Sequence, residues 1–104
     1  MKLDQLQSIL AENELSLLYF STPSCNVCKV LKPQVEDLIR DVPPWHFEYI
    51  NTEESPEIAG QHLVFAAPTL LLMADGKEIG RYSRHFSMQE LEVSIRKYAE
   101  IMGS

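Results

Sequence analysis

The chain has 104 residues, 45% of them hydrophobic, which is enough for one domain around a single core. Nine Lys and Arg against fifteen Asp and Glu give a net charge of −6, which argues against nucleic acid and anionic membrane as partners. No apolar run approaches transmembrane length, and residues 1 to 5 lack the apolar core of a signal peptide, so a single cytoplasmic domain over 1–104 is expected, as a monomer.

Residues 3 to 12 read as an amphipathic helix, with Leu3, Leu6, Ile9 and Leu10 on one face and Asp4 as its N-cap. Residues 15 to 20 are nearly continuous apolar, the pattern of a strand covered on both faces. Pro23 then breaks the strand and suits a loop that leads into a helix.

Ser24-Cys25-Asn26-Val27-Cys28-Lys29 follows and holds the only two cysteines of the chain. A helix over about 24–41 is predicted here, with Val27, Val30, Leu31, Val35, Leu38 and Ile39 buried and a kink at Pro33. Cys25 therefore falls where a strand ends and a helix begins. Free N–H groups and a partial positive charge at that end favour a thiolate and lower the cysteine pKa, and Lys29 adds a nearby cation. Cysteines three apart on a first turn can close a small disulfide ring. Cys25 is the expected attacking thiol and Cys28 the resolving one. Three other readings stay open at this point. A zinc site would need ligands beyond the two cysteines, from His46, His62 or His85, none of them at finger spacing. A permanent staple would close too short a loop to remove much chain entropy. Two inert buried thiols are the third.

Residues 45 to 51 alternate as a second strand, with Trp45 a packing residue at its start. Ser55-Pro56-Glu57 signals a short helix to about His62, capped by the Ser55 hydroxyl. Leu70 to Ala74 reads as another buried strand. Asp75-Gly76 is a two-residue hairpin signal, and 77–82 is the return strand at a sheet edge. Ser87 to Glu90 is a capping box before a last helix, whose Met88, Leu91, Ile95, Tyr98 and Met102 form a core stripe. The first two strands, joined through a helix, are expected to be parallel with a right-handed crossover, and the last two to form an antiparallel hairpin.

Over nearly its whole length the sequence resembles the thioredoxin family. The resemblance rests on the Cys25–Cys28 pair after an apolar strand, Lys29 and Pro33 beyond it, Ala67-Pro68-Thr69, and the Asp75-Gly76 hairpin. It implies an α/β thioredoxin fold. The chain opens directly into its first helix, so four strands are expected where the family has five. It also implies a thiol–disulfide oxidoreductase that reduces protein disulfides without a dissociable cofactor or a metal. Its partners would be disulfide-containing proteins, with a reductase or a small thiol as electron donor. A cis peptide at Ala67-Pro68 is implied, offering backbone to an incoming peptide.

Four departures from the family pattern bear on function. Ser24 stands where the family carries a tryptophan beside the first cysteine, and Asn26-Val27 replace its Gly-Pro. Tyr19 stands in place of a buried aspartate and Tyr49 in place of its lysine partner. Replacing both members avoids a stranded charge, and a Tyr19–Tyr49 contact within about 7 Å is expected. Arg84 falls where a glycine lines the substrate groove, in a locally basic stretch with Arg81 and His85. Ser24, Ala67, Pro68 and Arg84 are thus the candidate substrate-binding residues. The same departures suit an alternative, a binding or adaptor module of this fold with little turnover.

Overall fold

The structure is a computed structural model, and it describes residues 1–83 and 86–103. In chain order the elements are α1 (Leu3–Glu12), β1 (Leu15–Ser21), α2 (Asn26–Arg40), β2 (His46–Asn51), α3 (Pro56–Gln61), β3 (Thr69–Ala74), β4 (Lys77–Tyr82) and α4 (Met88–Gly103). Together they make the α/β architecture that the sequence implies. Its sheet has four strands in the order β2-β1-β3-β4. The pairing of β1 with β2 is parallel, because α2 carries the chain back across the sheet before β2 starts. The β1–β3 and β3–β4 pairs are antiparallel. Asp75 and Gly76 both take positive φ, 51° and 79°, which is the backbone a two-residue hairpin needs.

The two central strands bury both faces, so alternate residues feed two cores. Leu15, Leu17 and Tyr19 of β1 join Leu70 and Leu72 of β3 under α2 and α4, with Trp45 at the end of that layer. Leu18 and Phe20 join Leu71 and Met73 under α1 and α3. Period-two alternation inside an unbroken apolar run explains why β1 looks featureless in sequence yet builds two layers. The Trp45 indole N–H donates to the Ile95 carbonyl of α4 at 2.7 Å, which ties that helix to the start of β2. No helix among the described residues is long and apolar enough to cross a membrane.

Several local expectations are corrected. The N-cap of α1 is Lys2, not Asp4; the Lys2 backbone N–H donates to the Gln5 side chain at 2.7 Å. Asp4 lies inside the first turn, where its carboxylate faces the positive end of the helix. Ser55 occupies the N-cap of α3, but its hydroxyl donates to the Met1 carbonyl and accepts from the Met1 ammonium instead of capping. Val27 and Val30 are 62% and 66% exposed. The buried stripe of α2 begins one residue later, at Cys28, and continues through Val35, Leu38 and Ile39. A buried cysteine behaves as a small hydrophobe, so it replaces Val27 at the head of the stripe. The helix runs on through Pro33 to Arg40.

Candidate active site

Strand β1 ends at Ser21, and a tight turn delivers the chain to α2. The Cys25 N–H donates to the Thr22 carbonyl at 3.1 Å, which closes that turn. Cys25 is the N-cap of α2, with extended backbone. Its sulfur accepts the Cys28 N–H at 3.2 Å, the bond a capping serine or aspartate oxygen would make. A negative sulfur at this position gains both that donor and the partial charge of the helix end, so the geometry favours the thiolate once the pair is reduced.

Cys25 and Cys28 are joined by a disulfide, with Cα atoms 5.3 Å apart. The two sulfurs are not equivalent. Cys25 is partly exposed, whereas Cys28 is 1% exposed and packs into the core under α2. Only the first is open to an incoming group.

Below the pair lies an aromatic floor. Tyr19 of β1 pairs with Tyr49 of β2 in register, and their rings stack 6.2 Å apart at 22°. The expected contact is therefore present. Phe47 also lies against Tyr19, with ring centroids 5.8 Å apart. Lys32 reaches over the Tyr49 ring at 5.4 Å while paired with Glu36 at 2.7 Å. The Tyr19 hydroxyl donates to the Cys28 carbonyl at 2.7 Å, a bond that sequence reasoning missed. Burial, with smaller contributions from Tyr49 and Glu36, pushes the Tyr19 phenol up to about 12. The floor under Cys28 is thus a neutral hydrogen-bond donor.

The facing wall comes from the loop before β3. The Ala67-Pro68 peptide is cis. Buried Thr69 holds the loop by donating its hydroxyl to the Ala66 carbonyl at 2.7 Å. Between this loop and Cys25 lies a cleft of about 600 Å³, lined by Thr22, Ser24, Cys25, Asn26, Val27, Ala67 and Pro68. Ser24, Ala67 and Pro68 thus meet around Cys25 as the sequence suggests, while Cys28 lies beneath. Thr22, Asn26 and Val27 were not singled out as lining residues. Thr22 and Asn26 carry no periodic signal, and the helical stripe assigned Val27 to the core instead. Arg84 and His85 lie outside the described residues. Arg81, assigned to the same basic stretch, is not a free cation: it pairs with Glu78 and donates to the carbonyls of His62 and Leu63.

Comparison with known proteins agrees with this geometry. The family model for thioredoxin matches residues 2–97. A thioredoxin-like protein of Bacillus subtilis, YdfQ, is 30% identical over 92 residues, covering 88% of this chain and 82% of its own. Thioredoxin-1 of Saccharomyces cerevisiae is 30% identical over 77 residues, covering 74% and 75%. Among solved structures, oxidised mitochondrial thioredoxin 3 of S. cerevisiae superposes with a TM-score of 0.83 at 29% identity, covering 92% and 90%. Thioredoxin 1 of Thermosipho africanus gives 0.78 at 31%, covering 86% and 99%.

Proposed function

The chain belongs to the thioredoxin family and is a thiol–disulfide oxidoreductase, and from that premise we propose how its residues divide the work. In the reduced form the Cys25 thiolate attacks one sulfur of a protein disulfide. A mixed disulfide forms, and the first substrate sulfur leaves as a thiolate that takes a proton from water. Cys28 then gives up its proton and attacks the Cys25 sulfur. The second substrate thiol is released, the Cys25–Cys28 disulfide closes, and two electrons have passed to the substrate. A disulfide reductase or a small thiol returns two electrons and one proton, which restores the Cys25 thiolate and the Cys28 thiol. No dissociable cofactor or metal takes part in this cycle.

The observation that carries the assignment is the asymmetry of the pair. Cys25 is open at the helix end and already accepts the Cys28 N–H, while Cys28 is buried. The Tyr19 phenol stays protonated and its hydrogen is committed to the Cys28 carbonyl. The proton of Cys28 therefore goes to water or to a base other than Tyr19. Ser24, Ala67 and Pro68 would hold the substrate backbone beside Cys25, and the family resemblance adds Arg84 to the set. The same reading makes residues 1–104 one domain, monomeric, working in the cytoplasm, where a close cysteine pair serves turnover better than stapling.

The test is reduction of insulin disulfides by dithiothreitol. Wild type accelerates the reaction and Cys25→Ser abolishes the acceleration. A wild type no faster than the uncatalysed reaction would leave a dedicated partner or the binding-module alternative, which trapping partners with Cys28→Ser would separate.

A further inference from the structure

The segment between α3 and β3 is fixed far more firmly than a surface connection requires. Helix α3 ends in a pair of reversed bonds: Val64 N–H donates to the Ala59 carbonyl at 2.8 Å and Leu63 N–H to the Gly60 carbonyl at 3.1 Å. This motif needs a left-handed residue, usually glycine, and here Leu63 takes φ +56°. The two next carbonyls, of His62 and Leu63, both accept from the Arg81 guanidinium, at 2.6 and 3.0 Å. Glu78 holds that guanidinium from the other side through two further bonds, at 2.9 and 3.0 Å. A non-glycine residue in the left-handed region persists only where its surroundings over-determine it, and such places concentrate at functional sites.

What this clamp presents is Phe65, at 86% exposure. A lone exposed apolar residue needs no explanation. Phe65, however, walls a cleft of about 340 Å³ that shares Thr22 and Ala67 with the cleft over Cys25. The two clefts run on from one another along the loop that carries Pro68. Val27, 62% exposed, lines the cysteine cleft, so exposed apolar side chains stand at both.

Resting on the oxidoreductase reading above, we propose that Phe65 is a substrate-docking residue: it receives an apolar side chain that flanks the reactive cysteine of an extended polypeptide lying across both clefts. Arg81 is a positioning residue that acts through the turn. The continuity of the two clefts favours a chain that passes through the cysteine site. Burial against an aromatic face supplies the preference for an apolar neighbour.

The test uses two cystine-bridged peptides that differ only in the residue beside each cysteine, leucine in one and serine in the other, with hydroxyethyl disulfide as a small control. Wild type reduces the leucine peptide with a KM lower by about fivefold, the scale expected for one partly buried apolar side chain. Phe65→Ser removes that preference and leaves kcat and the hydroxyethyl disulfide rate unchanged. Arg81→Met weakens the preference in the same way, and its urea midpoint, measured alongside, shows that the variant is folded. Phe65→Ser that keeps the leucine preference, or that slows both peptides and the small disulfide alike, overturns the inference. A wild type that reduces neither peptide nor insulin overturns the dithiol reading, and this inference with it.

Discussion

The Tyr19 hydroxyl donates to the Cys28 carbonyl oxygen across 2.7 Å, and so joins the central strand to the first turn of the active-site helix. The donor is fully buried and stacks on Tyr49, its partner on the neighbouring strand. A neutral phenol thus sits where the family resemblance implies a carboxylate. It fixes the backbone of Cys28 without offering that residue a base.

Tyr19→Phe keeps the ring and loses this bond, at a cost of about 1 kcal/mol in unfolding free energy. Its effect on pH dependence is more specific. The folded-state value, about 12, lies above the ordinary 10.0, so the folded protein holds the phenol proton more tightly. That contribution is whole below pH 10 and is lost as pH rises towards 12. Urea midpoints should therefore fall more steeply in wild type than in Tyr19→Phe over this window. Parallel curves for the two proteins would show that the phenol does not titrate as described.

Trp45→Phe removes the indole donor to Ile95, whose carbonyl keeps its place inside α4, and trims a buried ring. The expected loss is about 1–3 kcal/mol, seen as a lower urea midpoint at constant slope. An unchanged midpoint would mean that α4 is held without this bond.

Ser16 gives the opposite expectation. Its side chain is fully buried, and its hydroxyl has no hydrogen-bond partner among the described residues. Ser16→Ala removes an unpaired polar atom, so stability should stay level or rise by up to about 1 kcal/mol. A loss above about 1 kcal/mol would point to a partner, such as an internal water.

Much of this was legible in the chain. The buried strands, the Asp75-Gly76 turn and the helix opening at the cysteines follow from apolar runs, turn residues and one proline. The misses share a physical cause. Val27 and Val30 fit a helical stripe in letters, but the stripe is set by which residue first faces the sheet, and that is Cys28. Ser55 has a capping side chain, yet the Met1 backbone, 54 positions away, competes for it. The Tyr19 bond to Cys28 and the Arg81 clamp on Leu63 join elements through tertiary placement, which no local pattern records.

The most direct test of the division between Cys25 and Cys28 is a trapping experiment on the reduced protein with a disulfide-bonded substrate. Cys28→Ser should accumulate a mixed disulfide through Cys25, visible as an intact-mass adduct that dithiothreitol releases. Cys25→Ser should form none at the same protein concentration. An adduct on Cys28 in the Cys25→Ser protein, formed as fast as the Cys25 adduct, would contradict the assignment of the exposed N-cap sulfur as the nucleophile.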